Sequence, residues 1–345
     1  MQLFKCLITS FSILFLAGVT DAQQPYKSVT ISPKPVQQGY FLTGAHTHKN
    51  LSVYLIHNKA QVKKAEYIPL EEALEKGIVR VNETGDVNRL TAENLSPQYH
   101  VFIQSGDIVK GGKQDRTIGQ DVVLAPKSGK VPLNAFCVEQ GRWRPRGKER
   151  VQQFSSSKKR LSSKELKIAA KKAKSQGEVW KAVEKEQEKL SRKLGKSVKS
   201  RASDTSLQLT LEDKDLQKES KAYVQAIAPK GLATNDVVGY AYAINGQFNT
   251  ADIYESNELF KKMWVKALEA AAYEAVAAPE PAKPLGQAPG TAYIGEQINN
   301  AVKGKIGDRI DNKNSRLISR EAKNGYVFET RTKKGEVIHL NVIQK

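Results

Sequence analysis

Residues 237–254 read VVGYAYAINGQFNTADIY, two β-rich runs around Asn245-Gly246. Asn-Gly between such runs is the strongest short hairpin signal, because both residues tolerate the positive φ that a two-residue turn needs. A helix is expected at once behind it, opening at Ser256 and ending near Ala275. Glu258 and Lys261 point outward, with Leu259, Phe260, Met263, Trp264 and Leu268 on the other side. Further on, GYVFETRTKKGEVIHLNVI (325–343) alternates around Lys334-Gly335 and reads as a second hairpin. Isolated hairpins are not stable, so both need partners in a larger antiparallel sheet.

Upstream, residues 26–60 place Val29, Ile31, Tyr40, Leu42, Val53, Leu55 and Ile56 among Pro, Gly and Asn, a strand pattern. PLEEALEK (69–76) is a short helix, begun by Pro69 and stopped by Gly77. Strands follow at 78–83, 88–96 and 99–106. DVVLAP and VPLNAFCVEQ read as two more, joined by a tight turn at Lys127-Ser128-Gly129-Lys130. From Ser162 to Leu194 the pattern becomes helical through Leu166, Ala169, Ala173, Trp180, Val183, Leu190 and Leu194. Ser162 and Glu165 match a capping box, Gly177 marks a break or kink, and a further helix is expected over 212–227, ending before Pro229. The fold class is α+β: a largely antiparallel N-terminal half packed with a helical middle and C-terminal hairpins.

The first 22 residues carry Lys5, an apolar run from Leu7 to Val19, and small residues before the Thr20-Asp21-Ala22 cleavage signal. That is a secretory signal peptide rather than a membrane span, and no later stretch is apolar enough to span. The mature chain, 23–345, is expected to be exported, periplasmic or extracellular, and to form a single integrated domain. VAAPEPAKPLGQAPG (276–290) reads as a linker or extended crossover. Removing the signal takes Cys6 with it and leaves Cys137 alone, which excludes an intramolecular disulfide.

The formal net charge of +19 is concentrated: residues 144–201 hold 20 Lys or Arg against 6 Asp or Glu. The simple account is a Lys-rich helical segment with a solvated face over Leu166, Trp180 and Leu190. The functional account is weak attraction to polyanions. Phe154 and Trp180 are its only aromatics, which speaks against specific nucleic-acid binding.

Between Ser105 and Trp143 two polar clusters stand out. Gly111-Gly112 precede Lys113, Gln114, Asp115 and Arg116; later come Cys137, Glu139, Gln140, Arg142 and Trp143. Glycines that admit close backbone approach, followed by mixed charge and an aromatic ring, make a polar binding surface. GGK lacks the spacing of a phosphate-binding P-loop.

These clusters also carry a family resemblance. LEEALEKG (70–77), GGKQDR (111–116), CVEQGRW (137–143), GEVWKAV (177–183), AYVQAI (222–227), AINGQFNTADIY (243–254) and GEVIHL (335–340) together resemble the ARG-and-rhodanese-phosphatase-superfamily-associated protein domains. ARG denotes ADP-ribosylglycohydrolase, whose genes neighbour members of this family. The resemblance runs from about residue 40 to the C-terminus and implies mainly architecture. Its genomic company implies handling of ADP-ribose or related NAD-derived metabolites. This chain departs from it in carrying a signal peptide and in placing Asp115 where Asn is expected.

Each candidate residue has two readings. Lys113 and Arg116, with the glycine N–H groups, can hold an anion; equally, Lys113 can lie in solvent and Arg116 pair with Asp107 or Asp115. Cys137 lacks a nearby His to activate it, so a buried strand cysteine is the simpler account. Glu139 can act as a general base or accept a sugar hydroxyl, or it can pair with Arg142 or Arg116. Arg142 and Trp143 can clamp or stack on a ring, although the preferred reading puts Trp143 in the core. His46 and His48 share one side of a strand, but no third metal ligand is evident and no metal is assigned. Asp252 and Glu255 read as a turn and a helix N-terminus.

The leading expectation is an exported protein binding a small anionic or sugar-containing ligand through Lys113, Gln114, Asp115, Arg116, Glu139, Gln140, Arg142 and Trp143. No cofactor is identified. A hydrolase of phosphorylated, ADP-ribose-like or glycosylated substrates with Glu139 as base is the second reading. A polyanion-binding surface at 144–201 is the third.

Overall fold

The structure, a computed structural model, describes residues 39–61, 65–279 and 286–345. The expected signal peptide and the expected strand residues Val29 and Ile31 lie outside the described residues. Among the described residues there are seven α-helices and seventeen strands, mostly in antiparallel sheets. The chain is α+β.

The expected hairpin forms the middle of the largest sheet. Strands β12 (Val237–Ile244) and β13 (Gln247–Tyr254) pair from Ile244↔Gln247 outward, with Asn245 at φ 51° and Gly246 at φ 75° in the turn. Around them, β1 (Tyr40–His48), β2 (Leu51–Asn58), β14 (Lys305–Asp311), β15 (Ser315–Glu321), β16 (Gly325–Thr332) and β17 (Val337–Gln344) complete an eight-stranded sheet. Its order is β1-β2-β12-β13-β17-β16-β15-β14. Sequence alternation decides which helix each face meets. Tyr240, Tyr242 and Ile244 face one side with Val53 and Leu55, under helix α6 (Asn257–Ala277). Ala241 and Ala243 face the other with Tyr54 and Ile56, under helix α7 (Thr291–Val302). Both faces being covered, every residue of β2 and β12 is buried. Gly239 has no room for a side chain, since a Cβ there would sit 2.4 Å from the Asp252 carbonyl oxygen of the next strand.

A six-stranded sheet of order β11-β7-β8-β10-β5-β4 holds both polar clusters. Its strands are β4 (Val79–Glu83), β5 (Arg89–Asn94), β7 (Asp107–Gly111), β8 (Arg116–Ile118), β10 (Gly129–Cys137) and β11 (Phe154–Arg160). A small third sheet, β3-β6-β9, comprises Tyr67–Pro69, His100–Ile103 and Val122–Leu124, with β3 and β6 parallel. The tight turn at 127–130 therefore does not join hairpin partners. β9 pairs with β6, and β10 pairs with β5 and β8 in another sheet.

The helical middle differs in detail from its sequence pattern. Ser163, not Ser162, caps α2 (Lys164–Ile168) by accepting the Leu166 N–H. Ser162 is buried and donates to Glu186 at 3.1 Å. A π-helical turn (Ala169–Ala173) follows and ends at Lys174 with φ 51°; Ser175 then caps α3 (Gln176–Leu194). The break thus falls at Lys174-Ser175, and Gly177 sits inside the first turn of α3. The helix expected over 212–227 is α5 (Lys214–Leu232), preceded by a short α4 (Leu207–Leu211); it does not end before Pro229 but carries that proline in its last turn, at the loss of one backbone hydrogen bond. Val276 and Ala277, read as linker, belong to α6. The β14–β15 hairpin, β11 and α7 have no counterpart in the sequence reading. β14 (KIGDRID) is almost wholly exposed and charged, which suits a sheet edge and leaves no apolar alternation to read.

Candidate functional site

The two polar clusters meet because β8 pairs with the end of β10, Cys137 opposite Arg116. Gly111 and Gly112 make the preceding turn at φ 123° and 58°, and a Cβ on Gly112 would lie 2.6 Å from the Phe154 ring. The turn drops Asp115 beside Glu139. The Asp115 N–H donates to Glu139 Oε1 at 2.7 Å, the Val138 N–H to the Asp115 carbonyl at 3.1 Å, and Gln114 Nε2 to the Glu139 carbonyl at 3.2 Å.

Two arginines close the cluster. Arg142 gives Nε to Glu139 Oε1 at 2.8 Å and reaches Asp115 Oδ1 at 3.5 Å; Arg146 reaches Asp115 Oδ2 at 2.5 Å and Glu149 at 3.0 Å. Ser203 donates to Glu139 Oε2 at 2.9 Å, and the Trp180 indole N–H donates to the Glu139 carbonyl at 3.1 Å. Both Glu139 oxygens are therefore committed, and the residue is 0% exposed. Considered as a general base, Glu139 is instead the anchor that ties the GGKQDR turn, the 142–149 loop and the segment before α4 together. Burial, with the Glu139 charge adding to it, pushes the Asp115 carboxyl up to about 6 against the pull of Arg146 and Arg142.

Arg116 pairs with neither Asp107 nor Asp115. It is buried, donates Nη1 to the Gln114 carbonyl at 2.8 Å, and lies 3.5 Å from Glu83. Cys137 is buried in the strand, its N–H and carbonyl clamped by the Gln176 amide at 2.8 and 2.9 Å. Burial pushes its thiol up to about 11, which suits a structural cysteine.

Lys113, Gln140 and Trp143 are exposed. Trp143 is 57% exposed, which corrects its expected core position. It stands in an open groove of about 1290 Å³ that also presents Gln140, Arg144, Arg146, Arg201 and Ser203. Its loop is fixed from beneath, because Arg142 Nη1 donates to the Arg144 carbonyl while its other nitrogens hold Glu139. An exposed indole face among guanidinium groups can stack on a planar ring and pair with an anion.

A second polar assembly draws Asp252 and His339 from the AINGQFNTADIY and GEVIHL stretches, neither of which reads as a site in the sequence. His339 on β17 is 0% exposed, with Nδ1 2.7 Å from Asp121 and Nε2 2.9 Å from Asp252. Asp252, read as a turn residue, is on β13 and also accepts from Tyr240 at 2.6 Å and Asn341 at 3.0 Å. Burial opposes charge here, but the His339 charge and hydrogen bonds outweigh it and hold both carboxyls far below the usual range. Burial likewise pulls the imidazole down, and the two carboxylates overcome this and raise it, favouring imidazolium. A histidine inside the apolar run VIHLNVI is a sequence signal for this assembly.

The basic segment contributes to the same interior. Lys159 donates to Tyr273 at 2.6 Å and Glu269 at 2.7 Å, Arg160 to Gln104 at 3.1 Å, Lys167 to Tyr242 at 3.0 Å and Lys171 to Asn341 at 2.8 Å. All four are buried, so this segment is not simply a solvated face over an apolar one. Among the described residues no three His, Cys, Asp or Glu side chains group as metal ligands, and no helix is long and apolar enough to cross a membrane.

Comparison with known proteins returns one family. The pattern of the ARG and Rhodanese-Phosphatase-superfamily-associated Protein domain (ARPP-1) matches residues 39–343, which takes in both polar clusters and all three sheets. No curated protein and no solved structure gives a significant match. With the match running from the first described strand almost to the last residue, the chain belongs to the ARG and Rhodanese-Phosphatase-superfamily-associated Protein domain family.

Proposed function

We propose that this is an exported binding protein for an anionic ligand that carries a planar or sugar ring, held in the Trp143 groove. One observation carries the reading: an exposed indole stands beside Arg144, Arg146 and Arg201 on a loop immobilised by Arg142 and Glu139. Of the residues expected to touch ligand, Gln140, Arg142 and Trp143 line the groove, Arg142 with its guanidinium already committed to Glu139. Gln114, Asp115, Arg116 and Glu139 act beneath it as scaffold, and Lys113 is exposed on the adjoining turn.

The hydrolase reading loses support with its base, since Glu139 has no free oxygen and no exposure. The polyanion reading is weakened because Lys159, Arg160, Lys167 and Lys171 are buried among protein partners. Thermal-shift measurements with ADP-ribose, sugar phosphates and a sulfated glycan test the proposal. A stabilising probe should lose its effect in Trp143→Ala, a surface change expected to cost within about 0.5 kcal/mol of fold stability. A panel with no hit, or hits indifferent to Trp143, would refute groove binding. A hit confined to the glycan, with affinity falling steeply as salt rises, would favour polyanion binding instead.

A further inference from the structure

We propose a second, separate ligand site: a small cavity that takes a hydroxylated carboxylate of the sugar-acid class, its carboxylate paired with Lys171. The cavity, of about 230 Å³, lies where the π-helical turn, the Gly119–Asp121 loop, β10 and the β14–β16 edge converge. That is below the common range for drug-sized clefts, about 300–1,000 Å³, so the occupant is a small metabolite.

Charge selects the class. Lys174 at the wall is matched by Asp308 at 2.6 Å, and Asp121 is matched by His339 at 2.7 Å. Among the described residues no carboxylate forms an ion pair with Lys171 or Arg89, which both line the cavity. Lys171 is only 8% exposed, and its Nζ has one hydrogen-bond acceptor, Asn341 Oδ1 at 2.8 Å, with the Phe328 ring centroid 4.6 Å away. A buried ammonium hydrogen-bonded to a neutral amide, with Asp121 and Asp252 nearby but both held by His339, is costly unless a further anion reaches it. Burial accordingly pulls its pKa down, against the attraction of Asp121, and a bound carboxylate would reverse that.

The remaining lining suits a hydroxylated ring. Gln120 and Asn134 present amides, joined at 3.3 Å, while Phe136 and Phe328 offer apolar faces to C–H groups. Gly119 keeps that wall open, since a Cβ would lie 2.8 Å from the Phe136 ring. One buried ammonium, with a single guanidinium at the exposed rim from Arg89, fits a monoanion better than a phosphate. The π-turn itself is a rare conformation that is found frequently at functional sites.

The test is calorimetric titration and thermal shift of the full chain with D-glucuronate, using D-glucose and inorganic phosphate as controls. Glucuronate should raise the melting temperature by several degrees at large excess, and glucose should not. Lys171→Met should abolish the shift, Arg89→Gln should weaken binding about tenfold, and Trp143→Ala should leave it unchanged. Should Lys171→Met not fold, the exposed variants Arg89→Gln and Asn134→Ala decide, both weakening glucuronate if the site exists. The proposal is overturned by no glucuronate shift, by a shift that survives in Lys171→Met or in both exposed variants, or by phosphate outperforming glucuronate. Because Trp143 is outside this cavity, failure here and failure of the groove are read separately.

Discussion

Asp121 and His339, 218 residues apart in the chain, are joined by a 2.7 Å contact with no exposure to solvent worth the name. The contact links the segment before β9 to β17, and through Nε2 the imidazole continues to Asp252 on β13. The eight-stranded sheet is thus tied to the loop between β8 and β9 by a charge cluster assembled from three distant parts of the chain. Replacing His339 with Leu leaves two buried carboxylates without their shared cation. A loss of about 3–5 kcal/mol is expected, measured as a shift in the urea midpoint. A loss below 1 kcal/mol would show that the cluster is neutral or hydrated.

Stability should peak on the acid side of neutrality. Asp121 and Asp252 have lowered folded values, so their contribution is full above the ordinary carboxylate range and is lost progressively as pH falls from there through their much lower folded values. Asp115 and Glu186 are raised, to about 6 and about 7, chiefly by burial, so the folded state binds extra protons and stability falls as pH rises from about 4 to 7. His339, raised as part of a coupled trio, adds stability below its unfolded value that disappears as pH climbs through its folded one. Urea titrations between pH 3 and 8 should therefore give a maximum at about pH 4 to 5. A monotonic rise to pH 7 would contradict these shifts.

Asp115→Asn is expected to be tolerated. The amide oxygen still accepts the Gly111 N–H at 3.1 Å, repulsion with Glu139 disappears, and Arg142 and Arg146 keep Glu139 and Glu149. The cost at pH 7 should stay under about 1 kcal/mol, and the decline between pH 4 and 7 should flatten. A large loss would make the aspartate charge essential to the Arg146 loop.

Glu139→Gln should act on stability first. It removes the charge that Arg142 and the Asp115 N–H share, for a loss of about 2–3 kcal/mol in chemical denaturation. Unchanged stability with lost turnover would restore the catalytic reading.

Gly231→Ala inverts the usual helix rule. Alanine normally favours a helix interior by about 1 kcal/mol, but here its Cβ would lie 2.5 Å from the Trp264 indole, which donates to the Ala228 carbonyl. Overpacking should cost about 1–3 kcal/mol and alter the near-UV signal of Trp264. Stabilisation instead would mean that α5 and α6 separate readily at that crossing.

The sequence alone determined what depends on neighbours in the chain. Asn245-Gly246 set the central hairpin, Ser256 and the Leu259–Trp264 spacing set α6, and the period of two in GYVFETRTKKGEVIHLNVI set the terminal pair. Ordered motifs also placed the chain in its family. Tertiary structure decided the rest, because hydrogen bonding and burial join residues at any separation. Pairing of β10 with β8 buried Glu139 under Arg142 and turned Trp143 outward, although both occupy one seven-residue motif. The basic segment could not reveal which of its lysines turn inward, since Lys171 and Lys172 are identical by composition. One meets Asn341 in the interior and the other Glu321 at the surface, because adjacent helical positions point in different directions and only one of them faces the sheet.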